Sequence, residues 1–338
     1  MERKIISLGR SSLVISLPKH WVKLNGLKQG DVVSLGVQRD RALVVFPSVK
    51  KEKESKEMVL HVDEDEKKNS IVRRIIGCYL NGYSSIKVLS EKIFSVVQRK
   101  AIRNIVRMLY MRIMESDAKS MYIQTLIDET EASHELAIER MHLISFSMCR
   151  DALNSLKNRD IMLAKAVFSL DDDVDHFSFF LLRLLRDAAQ NSILANRLGI
   201  DPLDCMDYQT LVYRVEHAAD HSANIAKQLI LLDGSQQKIP DQLLTLLFNA
   251  GTEAVNLYDK ALIAFSSKNI ANSIEILDQE KKIEKLDREI AQKSFMGKQK
   301  NALIICAICS MRDSIKGIAE CAMDVAEIAI NRAYKVNT

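Results

Sequence analysis

The chain of 338 residues has few of the residues that interrupt or decorate secondary structure: eleven glycines, four prolines and an aromatic content of 6%. So few breakers exclude a loop-rich or wholly β architecture, and the abundance of Leu, Ile and Ala favours long helices. No apolar run approaches the roughly 20 residues that span a bilayer; the longest, ALIICAICSM and FSFFLLRLL, are too short. The opening MERKIISLGR lacks an apolar signal core, so export is not expected and a cytoplasmic location is. Cys78, Cys149, Cys205, Cys306, Cys309 and Cys321 form no disulfide framework and read as reduced, buried thiols. Cys306 and Cys309 make a CxxC, but LIICAICSM reads as a core helix, and no second CxxC or nearby histidine completes a zinc set. The net charge of +4 is too small to imply a partner by itself.

Charge is unevenly spread, however. Residues 1–50 carry nine cations (Arg3, Lys4, Arg10, Lys19, Lys23, Lys28, Arg39, Arg41 and Lys50) against Glu2, Asp31 and Asp40, a net of +6. The short runs KIISL, LVISL, VVSLGV and ALVVF read as strands. PKHWVKLNG reads as a helix between the second and third, begun by Pro18 and stopped by Gly26, and LKQGD as a turn. So small a unit buries little alone, which favours a homodimer. Two readings of its charge stand: a binder of nucleic-acid phosphates, or strand edges blunted by Lys and Arg.

A charged linker, KKEKESKE, follows. Residues 58–127 then alternate as strand (MVLHV), helix (SIVRRIIGCYL), strand (SSIKVLS), helix (FSVVQRKAIRNIVRML) and two strands (MRIMES, MYIQTLI). That order predicts a ferredoxin-like α/β sandwich with its helices on one face and without a Gly-rich phosphate loop. From 129 to 335 the pattern is helical, in six segments at 129–157, 159–195, 206–232, 240–266, 269–297 and 299–334. In the second segment Leu163, Val167, Leu170, Val174, Phe177, Leu181, Leu184 and Ala188 step by four and three, the seam of an antiparallel bundle. Three long helices and then three more predict tandem three-helix bundles at 129–235 and 240–335.

The second segment also carries SLDDDVDHF, with four aspartates in five positions beside the buried seam. Asp171 and Asp175 lie one turn apart, where like charges cost a few tenths of a kcal/mol. YRVEHAADHSANIA offers a matching pair, Glu216 and Asp220, flanked by His217 and His221. Facing pairs on antiparallel helices gather four carboxylates, the ligand type of hard cations; with imidazole added, iron, manganese or zinc fit. The other reading is a solvated edge bridged by Arg183, Arg186 and Arg214. In the second half Glu280 and Glu284 repeat the acidic pair, but Lys316 stands opposite Glu216 and only Glu320 answers Asp220. Glu139 and His142 make a single Glu-x-x-His with no partner for a di-metal oxidase. No nucleophilic triad or dyad is evident, and no enzyme activity is expected.

SLDDDVDHF followed by RVEHAADHSANIA resembles the PhoU family of phosphate-uptake regulators over about 129–335. That resemblance implies two three-helix bundles and multinuclear metal ligation by Asp171, Asp175, Glu216 and Asp220, with Glu280, Glu284 and Glu320 as the weaker second set. SLGRSSLVISLPKHWVKLNGLKQGD resembles the SpoVT/AbrB swapped-hairpin domain over about 3–48. It implies a small β-barrel shared by two chains, with Arg3, Lys4, Arg10, Lys19 and Lys23 as DNA contacts and with His20 and Trp21 packed in the barrel or dimer interface. Together the two resemblances imply a dimeric, DNA-binding regulator of phosphate homeostasis. The alternative is an adaptor that docks on a phosphate transporter component or a kinase and uses the barrel only to dimerise.

Overall fold

Two hydrogen-bonded hairpins open the chain. The computed structural model describes residues 2–9, 11–37, 42–47, 56–126, 133–296 and 301–336. β1 (Ile6–Leu8) pairs antiparallel with β2 (Ser12–Val14), and β3 (Ser34–Val37) with β4 (Leu43–Phe46). The helix α1 (Lys19–Leu24) lies between them in the expected order. Gly9 turns the first hairpin at φ 73° and Gly26 follows α1 at φ 64°, left-handed values that residues with a side chain rarely adopt.

The hairpins remain separate two-stranded sheets; one chain does not close them into a barrel. No described residue from 2 to 47 is buried, and Ile6, Leu13 and Leu35 are 58%, 73% and 62% exposed. Trp21 is only partly covered and His20 is exposed, so neither finds a core within one chain. This N-terminal segment is a unit of its own, separate from residues 55–337.

The α/β region runs β5 (Glu57–His61), α2 (Lys68–Leu80), β6 (Ser85–Leu89), α3 (Val96–Met108), β7 (Met111–Ser116), β8 (Ser120–Thr125). Its sheet order is β5-β6-β8-β7, with β5 parallel to β6 and β8 antiparallel to both of its neighbours. β7 therefore runs parallel to β6, so α2 and α3 are both crossovers between parallel strands and share one face. Ile71, Ile75 and Tyr79 of α2 join Ile102 and Val106 of α3 over Ile86, Val88, Met121 and Ile123 in one core. The predicted element order and one-sided helices hold, but the ferredoxin-like topology does not. That sandwich connects as βαββαβ, whereas here β7 leaves a gap that β8 fills as a hairpin.

Among the described residues eight helices stand where six segments were expected: α4 (His134–Asn158), α5 (Ile161–Gln190), α6 (Ser192–Leu198), α7 (Pro202–Gly234), α8 (Asp241–Ser267), α9 (Ile270–Leu277), α10 (Glu280–Met296) and α11 (Ala302–Ala333). Asn191 ends α5 and caps α6, its side chain accepting from the Ile193 and Leu194 amides. α7 begins at Pro202 rather than 206 because Asp201 and Asp204 form a capping box around a proline in the first turn. α4, α5 and α7 pack together, as do α8, α10 and α11; α4–α8 and α7–α11 contacts join the two groups into one continuous core.

Along the α5 seam Val167, Val174, Leu181, Leu184 and Ala188 are buried, while Leu163, Leu170 and Phe177 are half-buried. Residues 181–185 are buried all round because α2 covers the outer side of α5. There Arg183, 2% exposed, donates to the carbonyls of Tyr79 and Tyr83, and its guanidinium lies 4.7 Å from the centre of the Tyr79 ring. Arg186 donates to the Leu80 carbonyl at 3.0 Å. The two arginines thus satisfy carbonyls at the C-terminal end of α2 and dock the α/β region on the first bundle. All six cysteines are free; Cys78, Cys149, Cys205 and Cys321 are buried as expected, but Cys306 is exposed and Cys309 partly so.

Candidate functional site

α5 and α7 are packed side by side, and their acidic turns meet at the edge of that seam. Asp171, Asp175 and Glu216 are half-buried, and Asp220 sits at the exposed rim. Burial, then the charges of Asp220 and Asp172, push Asp171 up to about 6. Burial, then Asp171, Asp220 and Asp172, push Asp175 up to about 7. Glu216 also rises to about 7, through burial and then Asp220, Asp175 and Asp171. Asp220 is raised by burial against the opposing pull of His217 and His221. Asp171, Asp175 and Glu216 each feel Asp220, and Asp175 and Glu216 also feel Asp171, so the four sequence candidates come together as one electrostatic group.

The solvated-edge reading required arginines to bridge these acids, and the three named for it lie elsewhere. Arg183 and Arg186 serve α2, and Arg214 pairs with Asp324 of α11 at 2.8 Å. His217 stands 3.5 Å from Glu216. His221 is pushed down by burial and by His217, and its ring packs against Gly317 of α11. The donor set suits a hard or borderline cation in kind, carboxylates with an imidazole beside them. The side chains are not drawn to ligating distance: among the described residues no three His, Cys, Asp or Glu groups are close enough to hold a metal ion.

The second half is neutralised from within. Lys316 pairs with Glu320 at 3.1 Å, Arg288 with Glu284 at 2.8 Å and Arg312 with Asp287 at 3.0 Å. Glu280 is exposed. The hydrogen bond and charge of Glu320 hold Lys316 above the usual lysine range, with Asp287 and Glu284 adding to it. Sequence reasoning missed Asp287 and Arg312. The signal was available: the offset of 100 that sets Lys316 opposite Glu216 also sets Arg312 opposite Val212.

Of the candidate DNA contacts, Arg3, Lys4, Lys19 and Lys23 are all exposed, with Lys19 and Lys23 one turn apart on α1. Arg10 lies outside the described residues.

A cationic hairpin unit thus precedes a helical body with one acidic face. Family comparison gives the same division: a PhoU domain matches residues 138–229, and the model of the antidote-toxin recognition MazE bacterial antitoxin matches residues 6–56. The chain therefore carries a PhoU domain preceded by a MazE/AbrB-type domain, both from families of regulatory proteins. Among solved structures, PhoU from Pseudomonas aeruginosa aligns at 17% identity with a TM-score of 0.53, covering 58% of this chain and 93% of that one; it shares the fold. The phosphate transport system regulatory protein PhoU from Streptococcus pneumoniae also aligns at 17% identity, with a TM-score of 0.48, covering 58% of this chain and 91% of its own. No curated protein matches the chain by sequence. Among the described residues no helix is long and apolar enough to cross a membrane.

Proposed function

We propose that the chain is a cytoplasmic, homodimeric transcriptional regulator of phosphate uptake and phosphate homeostasis. Residues 1–50 bind DNA through Arg3, Lys4, Arg10, Lys19 and Lys23, mainly by phosphate contacts. Residues 129–235 and 240–335 form the sensing body. Asp171, Asp175, Glu216 and Asp220 hold a divalent or iron-type cation on the first bundle. The second bundle, with Glu284 and Glu320 already paired to Arg288 and Lys316, holds none. A bound cation reverses the repulsion that raises these carboxylates.

The observation that carries this reading is the presence in one chain of a PhoU domain and a MazE-type unit with a net charge of +6. The test is elemental analysis of full-length protein purified without chelator and reloaded with iron, manganese, zinc or magnesium. Metal retained by the wild type and lost in Asp171→Asn with Asp175→Asn supports the sensing site; no metal in either discards it. If the protein also fails to bind DNA at low salt yet captures a phosphate transporter component or signalling protein, the adaptor reading replaces the regulator.

A further inference from the structure

The helical layer of the α/β region is charged in one sense only. α2 and α3 carry Lys68, Arg73, Arg74, Arg99, Lys100, Arg103 and Arg107 and no acidic residue, in a chain that has 48 basic and 44 acidic residues. Two of the seven are used internally: Arg74 pairs with Glu66 at 3.0 Å, and Arg99 donates to the Asp117 carbonyl at 3.0 Å. Lys68, Arg73, Lys100, Arg103 and Arg107 are exposed, and no carboxylate pairs with any of them among the described residues.

A helix face that is merely solvated mixes the two signs at i,i+4 spacing. Here Lys100, Arg103 and Arg107 fall on one stripe at like-charge spacing, which destabilises an isolated helix. The stripe covers about 10 Å along the helix axis, room for more than one phosphate of a nucleic-acid strand. The two helices are parallel neighbours on the outer side of the sheet, and their C-terminal ends rest on α5. Arg73, Lys100 and Arg103 lie on the open midsections, and Arg107, in the last turn of α3, is exposed as well.

We propose that this layer is a second DNA-binding surface, one that takes the phosphate backbone of duplex DNA. It rests on the proposal that the chain binds DNA at all. An anionic bilayer fits the same surface less well. The exposed apolar residues that would enter lipid, Ile93 just before α3 and Val96 and Val97 in its first turn, lie beside the acidic turn Asp63–Glu66. The Gln98 side chain donates to the carbonyls of Asp63, Glu64 and Glu66 and fixes that turn there. A bilayer met tip-first meets the exposed carboxylates of Asp63 and Asp65, Glu64 and Glu66 being paired to Lys92 and Arg74, whereas a phosphate strand laid across the middle of the layer meets only cations.

The test uses the full-length chain and a duplex of mixed sequence, with affinity read by fluorescence anisotropy from 50 to 300 mM salt. The variants are Lys100→Gln/Arg103→Gln/Arg107→Gln and, separately, Arg3→Gln/Lys4→Gln. All five residues are exposed, and circular dichroism melting checks that each protein stays folded. The expected result for the α3 variant is an affinity at least about tenfold weaker and a log–log salt slope shallower by about 2–3, with the N-terminal variant impaired in addition. Unchanged binding by the α3 variant, with binding lost in the N-terminal one, overturns this inference and leaves the DNA-binding reading intact. Failure of the wild type to bind at 50 mM salt overturns both. Unchanged DNA binding with lost adsorption to phosphatidylglycerol vesicles assigns the surface to lipid and also overturns it.

Discussion

At the scale of single residues, Asp175 shows how the acidic face trades stability for charge. Its carboxyl has an ordinary value near 4 when unfolded and about 7 when folded. The folded state thus holds a proton that the unfolded state has lost, and stability falls as pH rises through that window. Metal-free protein is expected to unfold at lower urea at pH 8 than at pH 5. Asp175→Asn should flatten that dependence and recover on the order of 1 kcal/mol at pH 8, after allowing for solvent screening. Stability that rises over the same range, or is indifferent to the substitution, contradicts this account. The four acids were legible in the sequence because i,i+4 spacing beside an apolar seam fixes their face. What the sequence did not show is that Arg183, Arg186 and Arg214 all face other elements. Arginines next to acids in the chain do not reveal which side of the helix they serve.

At the scale of elements, the crossing of α7 and α11 depends on a residue with no side chain. A Cβ on Gly317 would lie 2.1 Å from His221 Nε2, so Gly317→Ala must displace the imidazole. A loss of about 1–3 kcal/mol is expected in urea unfolding, and adding His221→Ala should restore most of it, giving a coupling energy of opposite sign. The same crossing is held by Asn224, whose amide donates to Ser310 and Ser314 at 2.9 and 2.8 Å.

The dock between α2 and α5 is a second element-scale contact. Arg183→Ala leaves the Tyr79 and Tyr83 carbonyls without that donor and should cost about 2–3 kcal/mol. Faster cleavage of residues 57–125 in limited proteolysis is the accompanying readout, and unchanged protection would show that the arginine is dispensable. Helix existence was legible from the 3.6-residue period, but the helix ends were not. Asp201-Pro202 reads as a linker until the capping box shows it to be the start of α7. Sheet topology was equally hidden, since periodicity does not say which strand fills the gap between β6 and β7.

At the scale of the molecule, the N-terminal unit has an apolar surface without an interior. Leu13 and Leu35 are 73% and 62% exposed on two-stranded hairpins, and such hairpins are marginal alone in water. A second copy would supply the missing face under the proposed homodimer. The chain is expected to be a dimer by light scattering, and Leu13→Asp with Leu35→Asp is expected to give monomers with the helical content intact. That the unit is incomplete was legible in its length and composition; how two copies would complete it is not written in a local pattern.

We propose that a cation held on the acidic face governs DNA binding by residues 1–50. Its most direct test is DNA affinity of the full-length dimer, measured with chelator and then across a manganese titration, for the wild type and for Asp171→Asn with Asp175→Asn. Manganese is expected to change the wild-type affinity by about fivefold or more, the usual scale of allosteric coupling, and to leave the variant unmoved. Equal DNA affinity of the wild type with and without manganese, or no DNA binding in either condition at low salt, contradicts it.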